Sequence, residues 1–199
     1  MTQTPIRLMS YEEYRRQPYD GQRTELVEGR VIELNDPTAP HAEVVKALER
    51  ALEGHIREIR KPYMVWSKVG VQTARSETGR SPDLLVCTYQ QWMDLREEEN
   101  GGASFKLGNP PLIVIEVLST STQPTDMGTK QWEYEGAGVS EYWRANHRKR
   151  WVEVLTLVGD KYQTERFSGE QMLKSTVLPK LRLTASQVFA PPKLPWEVD

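Results

Sequence analysis

The chain has 199 residues, 38% of them hydrophobic and 27% charged, with a formal net charge of −2. That make-up fits one soluble globular domain with room for a proper core, and it excludes the overall basic field that advertises nucleic acid, though not a local basic stripe. One cysteine, Cys87, rules out an intramolecular disulfide and fits a reducing compartment.

No apolar run reaches membrane-span length, and no signal-peptide pattern opens the chain, so a cytoplasmic location is expected. Zinc-type Cys–His spacings, a P-loop and a dinucleotide-binding glycine fingerprint are all absent.

In chain order, Ser10-Tyr11-Glu12-Glu13 reads as a capping box that opens a short helix ending near Pro18. Asp20-Gly21 is a turn. The stretch from Glu25 to Leu34 reads as a hairpin turning near Glu28-Gly29. Residues 35–40 form a loop, and His41 stands at the mouth of the next helix. From there to about Ile59, the positions Val44, Val45, Leu48, Leu52, His55 or Ile56, and Ile59 recur at helical spacing. Tyr63 to Thr73 is strand-like, and Ser76 to Gly79 turns the chain into a strand beginning near Asp83. Gln90 to Arg96 suits a short helix, and residues 97–102 an acidic, glycine-ended surface loop.

Leu112 to Leu118 is almost wholly apolar and rich in β-branched residues, the pattern of a strand buried on both faces. Glu116 breaks it. A carboxylate ionised and buried alone costs several kcal/mol or more, so Glu116 requires a cation, a metal or a raised pKa. After Ser119-Thr120-Ser121-Thr122, a helix is expected from about Thr125 to Glu135, closing at Gly136-Ala137-Gly138. Asp126, Lys130 and Tyr134 fall at i, i+4 and i+8 on one face of it.

Glu141 to Asn146 reads as a strand and His147 to Arg150 as a basic turn. Trp151–Leu157 and Lys161–Phe167 pair across Gly159-Asp160. Neither a repeat nor a domain boundary is visible. Residues 1–190 therefore read as one domain, and residues 191–199 as a proline-rich tail along the surface. The mixed order of elements predicts an α/β or α+β fold, with one central mixed sheet flanked by helices.

Pro82-Asp83 before Leu84-Leu85-Val86-Cys87 repeats the theme of an acid set against an apolar strand. Taken singly, these residues have bland explanations. Asp83 can begin a turn, Glu116 can sit in a structural ion pair, and Asp126 with Lys130 can form a surface pair worth about 0.3–0.5 kcal/mol. Together they point to function. Two acids and a nearby lysine can hold a divalent cation and activate water.

The set Pro82-Asp83, Glu116-Val117-Leu118-Ser119 with Ser121-Thr122, Asp126, Lys130, Tyr134 and Gly138-Val139-Ser140-Glu141-Tyr142-Trp143 resembles the Uma-type restriction endonucleases. That family belongs to the PD-(D/E)xK nuclease superfamily. Glu25 to Gly29, Pro40-His41 and the closing Leu178-Pro179-Lys180-Leu181-Arg182-Leu183 also resemble it, so the likeness covers nearly the whole chain.

The resemblance implies a restriction-endonuclease-like fold and a Mg²⁺ or Mn²⁺ site on Asp83 and Glu116. It also implies Mg-dependent hydrolysis of phosphodiester bonds in DNA. The superfamily pattern sets a lysine two residues past the glutamate, where this chain has Leu118. The lysine role therefore passes to Lys130 on the following helix, as in Uma-type families. Arg144-Ala145-Asn146 departs from the apolar residue and aspartate common in relatives.

In such a site Glu25 accepts a proton or holds a metal-bound water, or is simply a surface acid of its hairpin. His41 contacts phosphate at a helix N-terminus or caps that helix. Asp126 and Tyr134 support Lys130 from its own helix face. Arg144, His147, Arg148, Lys149 and Arg150 are candidates for a DNA-facing rim, and a homodimer is the simplest way to cut two strands. The competing reading is a non-catalytic nucleic-acid-binding or assembly module of the same fold, kept open by the near-neutral charge and by Leu118.

Overall fold

The structure, a computed structural model, describes residues 8–18, 22–73, 77–97, 102–118 and 124–192, without the side chains of residues 124–126. The turn at Asp20-Gly21, most of the acidic loop, Ser119 to Thr122 and the tail beyond Pro192 lie outside the described residues.

Helix α1 (Tyr11–Arg15) begins with the expected capping box: Ser10 Oγ accepts from the Glu13 amide, and the Glu13 carboxylate accepts from the Ser10 amide. Strands β1 (Thr24–Val27) and β2 (Arg30–Glu33) then form the expected hairpin. Its two turn residues, Glu28 and Gly29, both have positive φ, the conformation that matches the twist of paired strands. A Cβ at Gly29 would stand 2.7 Å from the Leu8 Cβ, so glycine is required there for space as well as for φ.

Helix α2 (Ala39–Ile59) buries Val44, Leu48, Leu52 and Ile56, one residue per turn, against the sheet. Each fully buried side chain of this kind contributes about 1.5–3 kcal/mol.

The strand-like stretch from Tyr63 to Thr73 is two strands in two sheets, β3 (Tyr63–Trp66) and β4 (Gly70–Gln72). Lys68, at φ 59°, takes the left-handed conformation between them, and the chain leaves one sheet for the other. After β5 (Gly79–Arg80) and β6 (Leu84–Thr88) comes α3 (Tyr89–Arg96), opened by a second capping box between Thr88 and Gln91. Strand β7 (Ser104–Phe105) is too short to read from sequence.

Next come β8 (Ile113–Leu118), α4 (Pro124–Ala137), β9 (Glu141–Asn146), β10 (Trp151–Val158), β11 (Lys161–Ser168) and α5 (Ala185–Val188). The central sheet is mixed and six-stranded, in the order β11-β10-β9-β8-β6-β3, with β8 and β9 parallel. A second mixed sheet, β2-β1-β5-β4-β7, adds to the single sheet expected. Beyond the β1–β2 hairpin it is hidden in the sequence, because all five of its strands have only two to four residues.

β8 is buried on both faces, as its composition requires. Ile113, Ile115 and Val117 pack with α2, while Val114 packs on the other side with Tyr134 and Ala137 of α4. Alternation puts Glu116 on the α4 side as well. The chain beyond β11 closes the α2 side, where Leu178, Leu181 and Leu183 are buried. Glu141, fully buried at the start of β9, anchors that segment by accepting from Trp143 Nε1, Ser175 Oγ, Thr176 and the Val177 amide.

Candidate active site

Asp83 immediately precedes β6, which pairs antiparallel with β8 so that Leu84 faces Ile115. One step further in that register sets Asp83 beside Glu116. Asp83 Oδ2 accepts from the Val117 amide at 2.8 Å and meets His41 Nε2 at 3.1 Å. Arg23 Nη2 stands 3.5 Å from the other oxygen. Burial opposes ionisation of Asp83, but His41, the Val117 amide and Arg23 together outweigh it and hold the carboxyl below its ordinary value.

Glu116 has the opposite balance. Its Oε1 accepts from Lys130 Nζ at 3.0 Å and from Tyr134 Oη at 3.1 Å. Among the described residues no hydrogen bond reaches Oε2. Burial, relieved only in part by Lys130 and aggravated by the charges of Asp83 and Glu25, pushes its carboxyl up to about 7.

Lys130 and Tyr134 reach the same oxygen because they lie one turn apart on α4. Lys130 is 12% exposed and also meets Glu25 Oε1 at 3.2 Å. Lys130 is therefore largely buried and not a surface residue; the side chain of Asp126 lies outside the described residues. Burial works against the ammonium, but Glu116 and Glu25 overcome it and raise its pKa above the usual lysine value. Lys130 is a fixed cation and not a base.

Glu25 is no surface acid. It is 3% exposed, accepts from the Ser81 amide at 3.1 Å, and pairs with Arg80 Nη1 at 2.9 Å. Arg80 in turn grips Glu133 with two bonds, Nε to Oε2 at 2.6 Å and Nη2 to Oε1 at 3.0 Å. A buried chain of alternating charge thus runs Glu133, Arg80, Glu25, Lys130, Glu116. Arg80, Glu133 and Arg23 were missed in the sequence. Glu133 had a legible signal, since it falls one turn after Lys130 on the face that carries Tyr134.

His41 sits in the first turn of α2, where its ring binds Asp83 and makes no cap bond among the described residues; its Nδ1 is buried with no partner among them.

Arg144 is a correction. It is 8% exposed and stands beside Glu116 in the β8–β9 register, with its Nη2 2.6 Å from Glu153 Oε2. Arg166 holds the other oxygen of Glu153 at 2.6 Å. Arg144 therefore belongs to a charged row across the sheet and not to an exposed rim. Arg148, Lys149 and Arg150 are exposed, and His147 is half-buried. Their turn follows Asn146, which pairs with Leu118, so it lies at the same end of the sheet as Glu116.

A mixed sheet that brings an acid just before β6 beside an acid on β8, served by a lysine from the helix between β8 and β9, is that of a protein of the restriction-endonuclease-like fold. The chain belongs to the Uma2 family, described as "Putative restriction endonuclease", whose profile matches residues 11–186.

Among solved structures, the chain is similar to a protein described as "a putative nuclease belonging to DUF820" from Anabaena variabilis ATCC 29413. The TM-score is 0.73 at 17% identity, covering 91% of this chain and 97% of that one. At that identity the likeness speaks for the fold. No curated protein matches the chain. Among the described residues, no helix is long and apolar enough to cross a membrane.

Proposed function

We propose that the chain is a metal-dependent endonuclease that hydrolyses phosphodiester bonds in DNA. The observation that carries this reading is the juxtaposition of Asp83 and Glu116 with Lys130 hydrogen-bonded to Glu116. The family description and the printed description of the structural relative favour the same class.

The residues fit a hard divalent cation. Both candidate ligands are carboxylates, no described residue bonds Glu116 Oε2, and Glu116 is repelled by Asp83 and Glu25, so a cation there would be favoured. No cluster of three or more His, Cys, Asp or Glu suited to a metal occurs among the described residues; an ion held by these two carboxylates would have positions for water and phosphate. Mg²⁺ or Mn²⁺ held by Asp83 and Glu116 would lower the pKa of a bound water and neutralise charge on the phosphate.

Lys130 then holds positive charge beside the attacking oxygen. Tyr134 fixes the free rotation of Glu116 by binding Oε1. Glu25, tied down by Arg80, keeps Lys130 from swinging away. His41 and the Val117 amide orient Asp83. Arg148, Lys149 and Arg150 would meet the DNA backbone beside the site, adding affinity that falls with salt.

The catalytic reading is preferred over a non-catalytic module because the lysine missing at Leu118 has a substitute in Lys130. Nicking of supercoiled plasmid by the pure protein tests it. Cleavage with Mg²⁺ or Mn²⁺ that stops with chelator is expected, and intact plasmid with either ion would refute it.

A further inference from the structure

We propose that β2 is a self-pairing edge, through which two copies of this chain join their smaller sheets about a twofold axis at Ile32. β2 is the outermost strand of its sheet, and all four of its residues are exposed. Val31 and Ile32 are 41% and 45% exposed, and Leu8, against the turn that precedes them, is 53% exposed. Proteins normally blunt such an edge with proline, a bulge, an inward charge or a covering segment. Among the described residues no proline, bulge or covering segment interrupts β2; its charges, Arg30 and Glu33, stand at the two ends of its four residues, and its register with β1 is regular from Thr24–Glu33 to Val27–Arg30.

The hydrogen bonds fix which register a second copy could take. In a two-residue hairpin the residues flanking the turn, Val27 and Arg30, exchange both backbone bonds, and such pairs then alternate. Ile32 therefore bonds to Glu25, and the Leu34 amide donates to Arg23 O at 2.8 Å. The N–H and C=O groups of Val31 and Glu33 must point outward, away from β1.

Two antiparallel copies satisfy all four outward groups when Val31 of one faces Glu33 of the other. Ile32 then falls on the axis against its own copy, in the closer, non-hydrogen-bonded kind of pair. Between Arg30 and Leu34 this register sets no charge opposite a like charge; Glu28 and Asp36, which it would bring opposite each other, lie in the turn and the loop beyond the strand. Arg30 runs along the copy's segment from Leu34 to the acidic Asp36, while Ile32 and its twin cover each other. The occupant that fits is therefore a second copy of this chain.

The pairing rests on the edge alone; its consequence for cleavage rests on the nuclease reading. Glu25 lies next to Ile32 across β1 and β2, so three strand spacings would set the two Glu25 backbones ~14 Å apart. Two sites would then face one duplex in a fixed relation.

Engineered cysteines test the register, because Cys87 is buried and will not compete. Light scattering on the full chain should give twice the chain mass. Mild oxidation should convert Ile32→Cys into a covalent dimer, while Val31→Cys, set off the axis, should stay largely uncrosslinked. Val31→Pro removes only an outward N–H and should give a folded monomer. A monomeric wild type, equal crosslinking of the two cysteine variants, or a dimer that survives in Val31→Pro would each overturn the proposal. Plasmid nicking that fails in an Ile32-crosslinked dimer would count against the nuclease and leave the interface standing.

Discussion

Lys130 Nζ stands 3.0 Å from Glu116 Oε1, and the two residues come from a strand and from the helix that follows it. The pair gives Glu116 its cation without the lysine that the superfamily pattern would set at Leu118. It also explains how a charged group survives in a strand whose neighbours Ile115 and Val117 are core residues.

If Lys130 stabilises the attacking oxygen, Lys130→Ala should bind metal and DNA nearly as wild type does. It should cleave about 10²–10⁴-fold more slowly, the usual scale for a lost group of this kind. Single-turnover cleavage at saturating Mg²⁺ reads this directly. A rate within a few-fold of wild type would mean that the lysine only neutralises Glu25 and Glu116.

Metal should raise the thermal midpoint, because an ion that binds only the folded chain stabilises it by mass action. Calorimetric titration with Mg²⁺ or Mn²⁺ should lose its signal in Asp83→Asn and in Glu116→Gln. Lys130→Ala should retain it. Unchanged affinity in both carboxylate variants would remove the assignment of the site.

The sequence made the long elements legible because each carries a strong pattern: the stripe Val44, Leu48, Leu52, Ile56 for α2, and the unbroken apolar run for β8. It made Asp83, Glu116 and Lys130 legible as chemistry, since acids interrupting apolar strands need a reason. The second sheet escaped because strands as short as Gly79–Arg80 and Ser104–Phe105 carry no period. Arg23, Arg80 and Glu133 escaped for a different reason. Their partners lie far along the chain, as with Arg80 and Glu133 at a separation of 53 positions, and nothing local marks a charge as buried. Arg144 misled in the same way, because a basic residue next to a basic turn looks exposed until the strand register pairs it with Glu153.

Arg80 is the structural centre of the buried charge chain, and its loss should act on stability first. Arg80→Met would leave Glu25 and Glu133 buried without their shared cation, and breaking a buried pair in this way costs roughly 3–5 kcal/mol. Arg166→Ala, by contrast, removes a guanidinium whose side chain is 60% exposed and should cost about 1 kcal/mol or less. Urea unfolding of the two variants gives the comparison. Equal losses would mean that the Arg80 chain is solvated and carries no special weight.

Glu116 should make the metal-free protein less stable as pH rises. Burial pushes its carboxyl up to about 7 in the folded chain, from the 4.5 of a free glutamate. Below 4.5 both folded and unfolded chains hold the proton, and Glu116 makes no pH-dependent difference. Between 4.5 and 7 the unfolded chain gives up the proton while the folded chain keeps it, so the unfolded state gains stability at each step. Above 7 both are ionised and the penalty stays constant, on the order of 3 kcal/mol at 1.36 kcal/mol per pKa unit. Glu116→Gln cannot ionise and escapes this loss. With chelator present, unfolding free energies at pH 5 and pH 8 should therefore converge less in the wild type than in the variant, with Glu116→Gln gaining relative stability at the higher pH. Added Mg²⁺ at pH 8 should restore the wild type and leave Glu116→Gln unmoved. A difference between the two proteins that stays flat from pH 5 to pH 8 would show that Lys130 already keeps Glu116 ionised throughout that range.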